Sequence, residues 1–107
     1  MNLLFVCTKN KWRSPTAEKI YCNYAHLNVR SAGISRSARK QINSKDVNWA
    51  DIIFVMENKH KRYIHEQFQN QISKKKLIVL DIPDEYRYID KALVSWLQDS
   101  VAPYLSL

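Results

Sequence analysis

The chain reads as an α/β domain over residues 1–107: a four-stranded parallel sheet with helices on both faces, and an anion-binding loop after the first strand. Three observations lead there. Leu3–Val6, Ile52–Met56 and Leu77–Leu80 are continuous apolar runs, too short for helices and without the alternation of a half-exposed sheet, as expected of strands buried on both faces. Segments of helical period separate them. Cys7 closes the first run, and Ser14-Pro15 opens the helical segment that follows a loop closing at Arg13, so strand, loop and helix are joined by very little chain.

Taken in order, Leu3–Val6 is the first strand. Ser14 reads as the N-cap of the first helix and Pro15 as its first residue, where a missing N–H is harmless. Ala17, Ile20, Tyr21 and Tyr24 recur at helical spacing and carry that helix to His26 or Leu27. Cys22 reads as a small packing residue on it, and His26 as a favourable partner of the helix end. A second strand is expected over Asn28–Ala32, and Gly33, the only glycine, marks a turn. Residues 34–41 read as a loop, and Asn43-Ser44 starts a short helical turn ending near Trp49.

Ile52–Met56 is the third strand. Ile64, Phe68 and Ile72 define one face of a surface helix from Asn58 to Ile72, with His60 and His65 on its exposed side. Lys74-Lys75-Lys76 closes the next loop in solvent, and Leu77–Leu80 is the fourth strand. Asp90 caps a last helix whose buried stripe is Leu93, Trp96, Leu97 and Val101, and Pro103 stops it. There is no internal repeat, linker or low-complexity segment.

With 25% charged and 46% hydrophobic residues, the composition is that of one globular domain rather than a disordered chain. No apolar stretch reaches membrane-spanning length and no signal-peptide layout opens the chain, so a cytoplasmic protein without a membrane partner is expected. The two cysteines, one at a strand end and one along a helix, make a structural disulfide unexpected, and no metal-ligand spacing or cofactor motif occurs. The net charge of +7 is uneven: residues 1–45 hold nine Lys/Arg against Glu18 alone. That basic third would steer phosphorylated ligands to the loop it contains. A nucleic-acid partner is the less favoured reading of the same charge.

A loop between a strand and a helix N-terminus aims backbone N–H groups at one point, which suits an anion. A cysteine on its floor feels the same field, which favours the thiolate, and Arg13 supplies a planar fork matching two phosphate oxygens. Nucleophile, cradle and clamp thus fall between Cys7 and Arg13. The bland alternative is a buried, inert Cys7 and a solvated Arg13.

The run Val6-Cys7-Thr8-Lys9-Asn10-Lys11-Trp12-Arg13-Ser14-Pro15-Thr16-Ala17-Glu18 resembles the phosphate-binding loop of the low-molecular-weight protein tyrosine phosphatases, C-x-G-N-x-C-R-S-P-x-A-E. Val29-Arg30-Ser31-Ala32-Gly33 resembles the family's second strand and its Ser-Ala-Gly turn. Asp51-Ile52-Ile53-Phe54-Val55-Met56, with Ala38-Arg39-Lys40-Gln41 leading toward it, resembles the third. The chain is similar to a shortened member, lacking a stretch with a helix near residues 34–41.

The resemblance implies a phosphatase that hydrolyses aryl phosphate monoesters through a cysteinyl-phosphate, with no cofactor and no metal. Its partners would be a phosphotyrosine protein or small aryl phosphate, with a phosphate or sulfate ion able to sit in the loop. Cys7 would be the nucleophile, Arg13 the clamp, and Ser14 a hydrogen-bond donor to the sulfur. The general acid would come from Asp81-Ile82-Pro83-Asp84: Asp81 fits counting from the strand, Asp84 counting back from Asp90, and Asp84 is slightly preferred. Both acids could instead simply cap turns beside Pro83. Thr8, Lys9, Asn10, Lys11 and Trp12 would line the substrate, with Trp12, Tyr86 and Tyr88 walling a slot for a flat ring.

Asn10 tolerates left-handed backbone and would hold the loop's shape. Lys9 stands where the family has Gly, so a positive φ there would strain it; Trp12 stands where the family has a second cysteine. Two other readings stay open. One is an arsenate reductase-like thiol enzyme, which needs a resolving cysteine; the other is a phosphate- or RNA-binding module without turnover.

Overall fold

A computed structural model describes residues 1–105. It contains β1 (Asn2–Cys7), α1 (Arg13–Tyr21), β2 (Asn28–Gly33), α2 (Ser44–Trp49), β3 (Ile52–Val55), α3 (Asn58–Gln67), α4 (Gln69–Ile72), β4 (Lys76–Val79) and α5 (Lys91–Val101), then a 3-10 turn at Ala102–Tyr104. The four strands form one parallel sheet in the order β2-β1-β3-β4. The expected α/β architecture is present.

The apolar runs explain the layering. Successive side chains of a strand point to opposite faces. Leu3, Phe5 and Cys7 therefore join Ile52 and Phe54 on one face, under Ala17 and Tyr21 of α1 and Leu93, Leu97 and Val101 of α5. Leu4 and Val6 join Ile53 and Val55 on the other, under Val47 of α2, Ile64 of α3 and Ile72 of α4. With both faces covered, polar residues have no place on the central strands, which is why β1 and β3 show no alternation.

Several local expectations are corrected. α1 begins two residues earlier than its Ser-Pro signal predicts, with Trp12 at the cap and no side-chain cap bond. Thr16 supports that end instead, its Oγ1 donating to the Trp12 carbonyl at 2.7 Å. The helix ends at Tyr21, so Tyr24 and His26 lie in the loop beyond, and Cys22 is exposed rather than packed. The surface helix is split at Phe68, whose φ of −129° and ψ of 37° leave helical geometry. Trp96 is 36% exposed, packing edge-on to Tyr86 instead of joining the buried stripe of α5.

Lys75 is only partly solvated, its Nζ donating to the carbonyls of Asn48 and Ala50 at 2.7 Å each. The expected caps at Asn43 and Asp90 are present, accepting from Asp46 N and Ala92 N. Pro103 falls inside the 3-10 turn, and α5 stops two residues before it.

The strand order places the site. β1 lies between β2 and β3, so the chain reverses direction across the sheet at the carboxyl end of β1, where a crevice forms. The loop after β1, the start of α3 after β3 and the segment after β4 all open on that end.

Candidate active site

The loop between β1 and α1 closes tightly on itself. Asn10 takes the left-handed conformation, φ 53°, and is fully buried. Its Nδ2 donates to Ser14 Oγ at 2.8 Å and Ser31 Oγ at 2.9 Å, and Ser31 in turn donates to Glu18 Oε1 at 2.5 Å. Lys9 has no positive φ, so lysine at the family's glycine position is not strained by its backbone. Gly33 has none either. The absence of a side chain there serves close approach instead: a Cβ would meet the Thr8 carbonyl oxygen at 2.6 Å, Ala38 Cβ at 2.7 Å and Asn10 N at 2.9 Å. β2 therefore lies directly against the back of the loop.

Cys7 Sγ lies 2.9 Å from Ser14 Oγ, both groups buried. Because Asn10 Nδ2 already donates to that hydroxyl, its single proton is available to the sulfur at 2.9 Å or to the Ala32 carbonyl at 3.4 Å. The shorter contact suits a donor to a thiolate. Ser14 is thus a partner of the sulfur and not the helix cap.

Arg13 is among the largest fully buried side chains, 2% exposed. Its Nη1 donates to Glu57 Oε2 at 2.6 Å and to the Ile82 carbonyl at 2.9 Å, and Nη2 to Thr8 Oγ1 at 3.5 Å. Nη1 is therefore tied to the scaffold by two short bonds and Nη2 by one longer one, and Asp84 Oδ1 stands 3.7 Å from Nε. Burial alone would raise the Glu57 carboxyl. The hydrogen bond and charge of Arg13, with Lys59 and His60 behind, reverse that and hold it below the usual carboxylate range.

His60 is fully buried, not on the surface as its place on a polar helix suggests. Its Nδ1 accepts from Glu57 N at 3.0 Å, which leaves Nε2–H to donate to Thr8 Oγ1 at 2.9 Å. Burial first, and then the Arg13 charge, push its pKa down to about 4, against the opposing pull of Glu57. The imidazole is neutral, with a fixed tautomer, at ordinary pH.

Cys7, Lys9, Lys11, Trp12, Arg13 and Asp84 line one pocket of about 300 Å³. Asp84 is exposed and lines this space, whereas Asp81 lines a different groove with Glu57, Asn58 and Trp96. Asp81 has φ 55°, a left-handed step between two residues, Leu80 and Ile82, whose N–H groups bond Val55 O at the end of β3 and Met56 O just beyond it. That step aims the Ile82 carbonyl at Arg13, a structural use of the residue. Tyr86 packs on Trp96 and does not line the pocket; Tyr88 lines a neighbouring groove together with Trp12.

The profile of the family described as low molecular weight phosphotyrosine protein phosphatase matches residues 2–40. That stretch takes in β1, the loop with Cys7 and Arg13, α1 and β2. A curated relative, the protein-arginine-phosphatase of Bacillus subtilis (strain 168), is 28% identical over a match covering 64% of this chain. The match spans 63% of that relative's length. Among solved structures, SP-PTP, a low molecular weight protein tyrosine phosphatase from Streptococcus pyogenes, superposes with a TM-score of 0.77 at 21% identity, covering 98% of this chain and 93% of its own. The tyrosine phosphatase Wzb from Escherichia coli K30, solved with phosphate, gives 0.74 at 20% identity, covering 96% and 94%. These likenesses establish the fold. Among the described residues no helix is long and apolar enough to cross a membrane.

Glu57, His60, Ser31 and the Ile82 carbonyl were not among the expected site residues, yet they hold Arg13, Thr8 and Asn10 in place. The available signal was positional: Glu57 follows the strand that neighbours β1, so it must reach the same crevice.

Proposed function

We propose that the protein is a cysteine-dependent phosphatase acting on aryl phosphates, with phosphotyrosine the substrate class. The supporting observation is the shared pocket of Cys7, Arg13 and Asp84, with Ser14 Oγ 2.9 Å from the sulfur. The Cys7 thiolate attacks phosphorus as the bond to the phenolic oxygen breaks, and Asp84 gives its proton to that oxygen. Loop N–H groups from Thr8 to Arg13 and the Arg13 guanidinium stabilise the equatorial oxygens. Water then attacks phosphorus, Asp84 takes its proton, the S–P bond breaks, and Ser14 donates to the departing thiolate. The products are the phenol and inorganic phosphate.

A second reading is phosphoarginine as substrate, favoured by the name of the Bacillus subtilis relative. The mouth of the pocket favours the aryl ester. Lys9 and Lys11 line it beside Trp12, and two ammonium groups disfavour a guanidinium leaving group while leaving a flat neutral ring unopposed. A thiol-exchange enzyme would need a second thiol at the sulfur. Cys22 lies outside the Cys7 pocket, its thiol directed to the Lys19 carbonyl.

The test is turnover of an aryl phosphate and of a phosphoarginine peptide by the wild type, Cys7→Ser, Asp84→Asn and Asp81→Asn. Aryl phosphate turnover should vanish in Cys7→Ser, fall about a hundredfold or more in Asp84→Asn, and persist in Asp81→Asn. Faster turnover of phosphoarginine by the wild type would replace the aryl reading with the second one. Undiminished turnover in Cys7→Ser would overturn both.

A further inference from the structure

Beside the phosphate pocket lies a larger groove of about 550 Å³, lined by Lys11, Trp12, Pro15, Glu18, Lys19, Cys22, Arg39 and Tyr88. Lys11 and Trp12 belong to both, so the two spaces share a wall. Trp12, Pro15 and Tyr88 give the groove apolar sides, with Tyr88 50% exposed. Its charge is strongly one-sided. Among the described residues the ion pairs involve none of Lys11, Lys19 or Arg39. The single acid, Glu18, accepts a hydrogen bond from Ser31 on the side of the loop.

We infer that this groove is a subsite for the peptide flanking the phosphorylated residue, and that it selects a segment carrying a carboxylate next to that residue. The inference rests on the phosphatase reading above. Continuity with the phosphate pocket puts the chain of any bound phosphopeptide across Trp12 and into the groove. Three cations without carboxylate partners, on apolar walls, then meet an acidic side chain at the rim. An apolar or basic flank gains the walls but not the charges. The subsite would add selectivity for peptides while leaving the chemistry at Cys7 untouched.

The experiment uses two phosphotyrosyl peptides that differ only in having Glu or Ala at the positions flanking the phosphotyrosine. Their kcat/KM is measured with wild type, Lys19→Glu and Lys45→Glu; the last makes the same charge change on α2, at the opposite sheet face. A small aryl phosphate reports basal activity. The wild type should favour the acidic peptide by about fivefold at low salt. Lys19→Glu should abolish or reverse that preference without altering the aryl phosphate rate, and Lys45→Glu should keep it.

Equal use of both peptides by the wild type, or equal loss in both lysine variants, would overturn the inference. Peptide affinities are also read by fluorescence anisotropy on Cys7→Ser, where acidic preference is expected regardless of turnover. Absence of aryl phosphate turnover with acidic preference retained would sink the phosphatase reading alone. Displacement of the acidic peptide by a single-stranded RNA of equal affinity would assign the groove to nucleic acid instead.

Discussion

Replacing His60 with Gln should remove much of the protein's sensitivity to mild acid. In the folded state the imidazole is buried, with a pKa of about 4 against 6.5 for the free group. Between those values the unfolded chain binds a proton that the folded one refuses, so stability rises with pH across the window and is lost as pH falls. Each full unit is worth about 1.4 kcal/mol. Integrated from pH 7.5 to 4.5, this one group removes about 2.5 kcal/mol. Glu57, held below the carboxylate range, adds its own loss only below about pH 4.5, so the upper window reports His60.

The assay is urea unfolding at pH 7.5, 6.5, 5.5 and 4.5, followed by tryptophan fluorescence. The wild-type midpoint should fall by about 1 to 2 M over that range. His60→Gln should start lower at pH 7.5, by about 1–3 kcal/mol, because a buried hydrogen-bonding site is disturbed. Its further decline to pH 4.5 should be much shallower. Parallel pH dependence in the two proteins would refute the reasoning, as would an imidazole titration near 6.5 for His60 in the folded state.

Gly33→Ala should destabilise the protein by about 1–3 kcal/mol and reduce aryl phosphate turnover, because the added methyl collides with the Thr8 carbonyl and Asn10 N behind the loop. Thermal unfolding and kcat/KM, measured together, check this. At the alkaline end Tyr21, whose hydroxyl is pushed up to about 12 mainly by burial, stays neutral in the fold while the unfolded chain ionises from about pH 10. Stability should therefore fall as pH rises from 10 toward 12, and Tyr21→Phe should lose that limb in urea titrations. A wild-type curve flat through that range would contradict the burial argument.

Much of this site is legible in the chain because it is local. The apolar run through Val6, the cysteine, Asn10 and Arg13 lie close together, and a strand–loop–helix unit has few ways to fold. Asn10 takes the left-handed conformation its side chain tolerates. What sequence reading loses is what strand order creates. Glu57 and His60 reach Arg13 and Thr8 only because β3 pairs with β1, a fact no local pattern carries. His60 lies on a helix rich in Lys and Arg, so its burial is invisible without the loop packed above it.

Ser14 illustrates a second limit. Ser-Pro is a sound helix-start signal, yet here α1 starts at Arg13, so Ser14 lies inside its first turn; its Oγ accepts from Asn10 Nδ2 and lies 2.9 Å from the sulfur instead of accepting from a backbone N–H. Gly33 illustrates a third. The expectation invoked a turn, whereas the requirement is space against the loop, which depends on a neighbouring segment. The choice between Asp81 and Asp84 could not be made by counting along the chain, because the left-handed step at Asp81 redirects it after β4.

The central claim is covalent: Cys7 carries the phosphoryl group between the two half-reactions. Asp84→Asn protein, quenched in acid during turnover of an aryl phosphate and digested, should yield the peptide containing Cys7 heavier by one phosphoryl group, and Cys7→Ser should yield none under the same conditions. Steady turnover by the wild type with no such adduct on Cys7, or an adduct on any other residue, would contradict it.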